Sequence, residues 1–407
     1  MGKHSFMERL LEGVDVEWKG LGEICEVKNG YTPSKNKDEF WNNGTIPWFR
    51  MEDIRKNGRI LNNSIQHVSP IAVKSDRLFP KNSIIISTTA TIGEHALITV
   101  DFICNQQLTV LSIKEKERKY LNSKYLFYYS FILGDWCKKN VNPGGFALIG
   151  TTKIKTFQIP IPPLKVQSEI VRILDNFTEL TAELTAELSA RKKQYSYYRD
   201  TLLSFEEGEV EWRTLGEVAT KISSGGTPRT GVSEYYNGTI PWLRTQEVDF
   251  CEIWDTSIKI TEEGLKNSSA KIIPSNCVIV AMYGATVGKI ALNKIPLSTN
   301  QACANIQLNP EIAYYRYVYH YLTSKYAYIK SLGSGSQTNI NAKIIKELSI
   351  PIPPLEKQKE IVAILDKFDT LTHSISEGLP REIALRQKQY EYYRNLLLSF
   401  PKVGETA

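Results

Sequence analysis

Metal and redox chemistry have little to draw on in this chain. Its 407 residues hold only five histidines and six cysteines: Cys25, Cys104, Cys137, Cys251, Cys277 and Cys303. No C-x-x-C occurs, and no histidines fall at H-x3-H or H-E-x-x-H spacing, so reduced thiols and no structural metal are expected. No run of 18 apolar residues is present, which excludes a hydrophobic spanning helix from the sequence pattern. The opening MGKHSFMERLLEG lacks the apolar core of a secretory signal, and a cytoplasmic protein is the expectation. G-x-S-x-G and G-x-G-x-x-G are also missing. Gly284 to Lys289 imitates a Walker loop but has three intervening residues instead of four, and Ile290 stands where Ser or Thr should hold the metal. The Asn-Pro-Pro-Phe and Asp-Pro-Pro-Tyr tetrapeptides with which adenine methyltransferases grip a base do not occur. Glu26-Val27-Lys28 has a nuclease-like spacing without an aspartate partner. The chain is therefore expected to have no catalytic residues and no cofactor of its own.

What is present is a repeat. Ile-Pro-Ile-Pro-Pro-Leu stands at 159 to 164 and again at 350 to 355, and each copy opens a long segment that runs through Tyr-Tyr-Arg to Leu-Leu-Ser-Phe. Val16-Glu17-Trp18 returns as Val210-Glu211-Trp212, and Asn43 to Trp48 returns intact as Asn237 to Trp242, both at an offset of 194. Thr32-Pro33, Ala90 to Gly93 and Asn105-Gln106 recur as Thr227-Pro228, Ala285 to Gly288 and Asn300-Gln301 at an offset of 195. A period of that length exceeds the roughly 20 to 50 residues of solenoid repeats, so a whole domain plus helix has been duplicated. The 42% of hydrophobic residues suffices for ordinary cores, and the net charge of +6 permits a polyanionic partner without demanding one.

Residues 18 to 158 alternate β-rich runs (Ile84 to Ser87, Leu108 to Leu111) with turns at Asn42-Asn43-Gly44 and Pro143-Gly144-Gly145. One helix is expected near Leu121 to Leu133, and a short one near Met7 to Leu11. After Pro162-Pro163 the period changes to 3.6: Ile170, Leu174, Phe177, Leu180, Leu184, Leu188, Tyr195, Tyr198 and Leu202 form one stripe. A helix of that length spans about 58 Å and cannot bury itself. Ile361, Leu365, Phe368, Leu371, Ile375, Ile383, Tyr390, Tyr393 and Leu397 repeat the stripe. Gly378-Leu379-Pro380 should break or kink this second helix, where the repeat is four residues longer. Five segments follow: 1–17, completing the repeat by a circular arrangement in which the two termini dock; 18–158; 159–208; 209–349; and 350–407.

Each domain carries a matching set of polar loops, of the residue types that suit nucleic acid. Glycines allow close approach, Arg and Lys meet phosphate or guanine, and Asn or Gln can read adenine. The candidates in the first domain are Lys28, Tyr31, Ser34, Lys35, Arg50, Thr89, Thr91, Asn105 and Gln106. Those in the second are Thr227, Arg229, Arg244, Tyr283, Thr286, Lys289, Asn300, Gln301, Ser336 and Gln337. Trp48 and Trp242 read as core, Pro33 and Pro228 as turn residues, and Asn105 and Asn300 stand open between turn capping and base contact.

Two copies of IPIPPL followed by Q-x-x-I-V-x-I-L-D, the paired G-x-I-P-W and Ala-Thr-[Ile/Val]-Gly turns, and the Thr-Ala-Glu-Leu tandem at 181 to 188 resemble the specificity subunit of a type I restriction-modification system. The resemblance covers essentially the whole chain, and the tandem resembles spacer repeats of the type IC branch. Thr89-Ala90-Thr91 departs from Gly284-Ala285-Thr286 of the second copy, which puts the first turn in question. The resemblance implies an α+β fold: two mixed α/β target recognition domains separated by two long antiparallel helices, a coiled-coil spacer with pseudo two-fold symmetry. It implies double-stranded DNA, two methyltransferase subunits and restriction/translocase subunits as partners, with S-adenosylmethionine, ATP and Mg sites on those chains and no membrane. Arg191, Lys192, Gln194, Arg386, Lys388 and Gln389 are candidate methyltransferase contacts. Two unlike domains held apart should read a bipartite, asymmetric target, and one added Thr-Ala-Glu-Leu unit, about 6 Å of helix, should lengthen its unread gap. A coiled-coil adaptor without DNA specificity and a self-sufficient DNA-modifying enzyme are the competing readings.

Overall fold

Two of the repeated motifs turn out to be partners. In the computed structural model, the strand Glu17–Gly20 pairs antiparallel with Gln158–Ile161, and Glu211–Thr214 pairs with Ser349–Ile352 in the same way. A proline lies opposite the tryptophan in each ladder, Pro160 by Trp18 and Pro351 by Trp212. Proline is tolerated there because a two-stranded ribbon has only edges. The structure describes residues 16–400 apart from 75–76, 143–146, 207, 334–338 and 375. The expected helix at Met7 to Leu11, nearly all of segment 1–17, the turn at Pro143 to Gly145, and Ser336 and Gln337 lie outside the described residues.

The chain forms two units, one of residues 1–183 and 384–407, the other of 184–383. In the first, a five-stranded sheet runs Cys25–Asn29, Leu108–Ile113, Ser83–Ser87, His95–Ile98 and Ile60–Leu61. Its pairings are antiparallel except the last, and Ser83–Ser87 is buried at every residue, as its unbroken isoleucine run requires. A three-stranded sheet, His67–Val68, Ile46–Phe49 and Ile103–Cys104, lies in the same unit. The helix Ser123–Lys139 starts at Asn122, whose side chain accepts from the N–H groups of Lys124 and Tyr125, and ends in Lys138-Lys139, which suits the helix dipole. Short helices at Leu21–Ile24, Met51–Asn57 and Thr151–Lys155 correct the single-helix expectation. None is long enough for a 3.6-residue period to show.

The second unit repeats the plan. Its five-stranded sheet runs Ala219–Ser224, Cys303–Leu308, Val278–Ala281, Ile290–Asn293 and Cys251–Ile253, and the helix Tyr315–Ser324 takes the place of Ser123–Lys139. The tyrosine-rich strings are core: Tyr125, Tyr128 and Tyr317 are among the largest fully buried side chains.

The helix Leu164–Leu202 is unbroken over 39 residues and is shared between the units. In the first unit its early part, through Val166, Ile170, Val171 and Leu174, shares a core with Leu397, Leu398 and Phe400, and Phe177 stacks on Tyr393 at 5.4 Å. In the second unit its late part meets the helix Leu355–His373, with Tyr198 stacked on Phe368 at 5.4 Å. Early pairs with late and late with early, which is antiparallel pairing. Val16 and Trp18 pack on the core that contains Leu397, Leu398 and Phe400, so the C-terminal residues complete the first unit. The second repeated helix stops at His373 and restarts as Gly378–Leu397. Pro380 sits in the first turn of the new helix, where a missing N–H costs nothing, so the break falls just before the Gly-Leu-Pro triplet. Gly378 has φ of +76°, and a Cβ there would lie 2.4 Å from the carbonyl oxygen of Thr370.

Candidate nucleic-acid interface

Close backbone approach builds the loop cluster of the first unit. Gly30 donates to the Leu108 carbonyl at 2.9 Å and Tyr31 to that of Cys104 at 2.7 Å. A Cβ on Gly30 would stand 2.3 Å from the carbonyl oxygens of Cys104 and Asn105, so only glycine permits the Thr-Pro loop to lie against the Asn-Gln loop. The Thr32 hydroxyl then donates to Oε1 of Gln106. Trp48 is buried, and its indole N–H donates to the Tyr31 carbonyl at 3.3 Å. The Arg50 guanidinium lies 5.1 Å from that ring and 3.3 Å from Glu52. The Asn105 backbone N–H donates to the Phe49 carbonyl at 3.0 Å, which closes the cluster.

The second unit repeats this on different side chains. Gly226 donates to the Thr299 carbonyl at 2.8 Å, Trp242 Nε1 to the Gly226 carbonyl at 3.0 Å, and Asn300 to the Leu243 carbonyl at 2.9 Å. Thr227 donates to Oε1 of Gln301. The turn after Val278–Ala281 is fastened by Thr286, whose hydroxyl donates to the Thr245 carbonyl at 2.7 Å, and by Lys289, 2.6 Å from Asp249. In the first unit the hydroxyls of Thr89 and Thr91 on the corresponding turn are buried without a partner among the described residues. Nε of Arg50 and of Arg244 and Oδ1 of Asn105 are in the same state.

The structure thus brings together Thr32, Arg50, Asn105 and Gln106 in one unit, and Thr227, Arg244, Thr286, Asn300 and Gln301 in the other. Ser34, Lys35 and Arg229 are exposed just beyond the buried prolines Pro33 and Pro228, and Tyr283 is exposed on its turn. The Tyr31 hydroxyl donates to the Ala72 carbonyl at 2.8 Å and accepts from the Lys74 N–H at 2.9 Å, so it pins the loop. Lys28 stands apart, paired with Glu26 at 3.5 Å in a groove with Leu78, Phe79 and Arg118. On the helices, Arg191 donates to Gln194 at 2.8 Å and Arg386 to Gln389 at 3.2 Å, with Lys192 and Lys388 exposed.

The Gln and Asp that bound the two Q-x-x-I-V-x-I-L-D copies, given no role in the sequence, seat each sheet-and-loop assembly on its helix. Gln167 is fully buried; its Nε2 donates to the carbonyls of Tyr120 and Pro162, and its Oε1 accepts from the Asn122 N–H at 2.8 Å. Gln358 makes the same three bonds to Ile312, Pro353 and Tyr314. Asp175 and Asp366, the last residues of the two Q-x-x-I-V-x-I-L-D copies, bind the neighbouring domain helix. Two polar positions recurring in an otherwise apolar stripe were the available signal.

Burial pushes the thiols of Cys25, Cys137 and Cys303 up to about 12, far from the range of a reactive thiolate. Among the described residues no group of three His, Cys, Asp or Glu side chains could hold a metal ion, and no helix is long and apolar enough to cross a membrane.

Comparison with known proteins finds the family model "Type I restriction modification DNA specificity domain" twice, over residues 13–191 and 207–385. The specificity subunit of the type I restriction enzyme EcoprrI from Escherichia coli is 42% identical over 395 residues, 93% of this chain and 93% of that one. The EcoR124I/EcoR124II specificity subunit, also from Escherichia coli, is 38% identical over 428 aligned positions, 99% of this chain and 98% of that one. Among solved structures, the S subunit of a type I restriction-modification system from M. genitalium superposes with a TM-score of 0.56 at 17% identity, over 96% of this chain and 98% of that one.

Proposed function

Because the chain belongs to the type I restriction modification DNA specificity family, we propose that it is the DNA-recognition subunit of a type I restriction-modification complex, reading an asymmetric bipartite target with one half-site per unit. The observation that carries this reading is the doubled loop cluster. The same backbone frame, with a glycine against an Asn-Gln loop and an arginine beyond a buried tryptophan, is built twice and carries different exposed side chains. A fixed frame with variable side chains is how two half-sites can differ in sequence while being approached alike.

In this reading the chain does no chemistry. Two methyltransferase subunits contribute adenine methylation with S-adenosylmethionine, restriction/translocase subunits contribute ATP- and Mg-dependent cleavage, and the complex works in the cytoplasm. Arg191, Lys192 and Gln194, with Arg386, Lys388 and Gln389, are the proposed methyltransferase contacts. Each Arg–Gln pair forms the same i, i+3 bond and leaves a neighbouring lysine exposed. The test is methylome sequencing of a methylation-free host that expresses the chain with its methyltransferase subunit. A bipartite N6-methyladenine motif that disappears when the chain is omitted is the expected result; a soluble complex that yields no motif would refute the proposal.

A further inference from the structure

We infer that Gln106 and Gln301 are specificity-determining residues, each held by a positioning threonine, Thr32 or Thr227, so that its amide NH2 faces the DNA as a donor to a base-edge acceptor. The inference rests on the DNA-recognition reading above and assigns within it the atoms that read.

A glutamine side chain offers an acceptor at Oε1 and two donors at Nε2, and a free amide can turn either end outward. In both units one end is already engaged. Thr32 donates to Oε1 of Gln106 and Thr227 to Oε1 of Gln301, across the same sequence separation of 74 residues. The hydroxyl thus faces the carbonyl end and leaves the NH2 end outward. Both glutamines are exposed.

The threonines are themselves fixed. Each precedes a buried proline and follows the tight Gly loop that lies on the carbonyls of Cys104 and Asn105 in one unit and of Thr299 and Asn300 in the other. Proline restricts the residue before it to extended backbone, which limits where the hydroxyl can swing. The same lock appears in Thr-Pro-Ser-Lys and in Thr-Pro-Arg-Thr surroundings, so it does not depend on the flanking side chains.

The consequence is chemical. A bidentate grip on adenine uses both ends of the amide, whereas an amide whose carbonyl is turned inward reads mainly as a donor. Guanine O6 and N7, adenine N7 and thymine O4 are the major-groove atoms that accept from it. Losing one such contact should reduce discrimination at a single base pair about tenfold.

The experiment compares methylomes of the full chain and its variants, each expressed with the methyltransferase subunit. The wild-type motif is the reference and tests the recognition reading by itself. Thr32→Val should relax one base pair of one half-site about tenfold while the other half-site, read by the second unit, stays as it was. Thr32→Ser, which keeps the donor, should restore the wild-type motif. Gln106→Ala should relax the same base pair as Thr32→Val. If Thr32→Val yields no soluble complex, Gln106→Ala decides alone, because its side chain is exposed and supports no core. An unchanged half-site in Gln106→Ala, or relaxation of different base pairs by the two variants, would overturn the inference. So would a uniform loss of methylation with the motif intact, the mark of a phosphate contact. Thr227→Val and Gln301→Ala should produce the mirror result in the other half-site.

Discussion

The two units seat their domain helix by the same device, on Leu164–Leu202 in the first and on Leu355–His373 in the second, and they differ at one corner of it. Tyr125 donates to the Pro160 carbonyl at 3.1 Å, and Tyr317 to the Pro351 carbonyl at 2.9 Å. Gln167 and Gln358 make matching sets of three backbone bonds. The aspartates diverge. Asp175 takes Lys124 and Tyr128, each at 2.7 Å. Asp366 takes Arg316 and the buried His320, each at 2.7 Å, and Arg316 reaches on to Glu252. Where the partner is backbone, the two halves kept the same residue, because a peptide group is there whatever the side chain. Where the partner is a side chain, the aspartate stayed and its partners were replaced together.

The largest effect should come from the shared part. Gln358→Leu removes three bonds and leaves one N–H and two carbonyls unpaired at a buried site, a loss of about 3–5 kcal/mol at roughly 1–3 kcal/mol for each unsatisfied group with partial relaxation. Gln167→Leu should cost the first unit a similar amount. Hydrogen exchange on the full chain should show Gln358→Leu exposing Tyr315–Ser324 and Gln167→Leu exposing Ser123–Lys139. If one variant left its helix fully protected, the two devices would not be equivalent.

The divergent corner sharpens the contrast. The Arg316 side chain is 17% exposed and that of Lys124 43%, so solvent screens the first unit's pair more strongly. Asp366→Asn should cost about 2–3 kcal/mol and Asp175→Asn about 1 kcal/mol, measured as unit-specific exchange protection. Burial pushes the Asp366 carboxyl up, but the hydrogen bonds from His320 and Arg316 outweigh it and hold the carboxyl below its ordinary value of 3.8. A depressed carboxylate contributes fully above its unfolded value, and that contribution is lost as pH falls through the lower folded one. The second unit's corner should therefore survive acidification until below the ordinary aspartate range. Equal costs for the two variants would erase the distinction.

Much of this was legible in the sequence because it is periodic or duplicated. The 3.6-residue stripe of Leu164–Leu202, the isoleucine run at Ser83–Ser87 and the recurrence of the Thr-Pro and Asn-Gln motifs all announce themselves over short distances or by repetition, whereas the contact between those two motifs, 74 residues apart, does not. The staple is different. Gln167 and Asn122 are 45 residues apart, and a polar residue inside an apolar stripe looks like any solvated helix position until its partner is known. The roles within the loops were equally hidden: Tyr31 resembles a contact residue, yet its hydroxyl is fully engaged by Ala72 and Lys74. The helix break was foreseen from Gly378 and Pro380, but not its position. Which side of a proline the helix ends on depends on whether the proline is spent as an interior breaker or as a first-turn residue.

A further difference between the units lies under the sheet. His95 pairs with Ile86 on the adjacent strand, and Ile290 pairs with Val280 at the corresponding place in the second unit. His95 is fully buried, with Nδ1 3.1 Å from the Gly93 carbonyl, the ring 4.5 Å from Phe131, and Nε2 lacking a partner among the described residues. Burial pushes its pKa down to about 3, and the nearby Arg59 and Arg394 guanidiniums push in the same direction against the Gly93 hydrogen bond. Below about pH 6.5 the unfolded chain takes up a proton at this position and the folded chain does not, so folded stability falls as pH drops toward 3. The slope is about 1.4 kcal/mol per pH unit for one proton, hence about 1 kcal/mol between neutrality and pH 5.5 to 6. Ile290 carries no such charge to gain. On acidification to pH 5.5 the first unit's exchange protection should fall while the equivalent strands of the second hold, and His95→Ile, which copies the second unit's residue, should flatten the first unit's profile at little cost near neutrality. A profile unchanged by His95→Ile would assign the acid sensitivity to some other group and remove this histidine from the comparison.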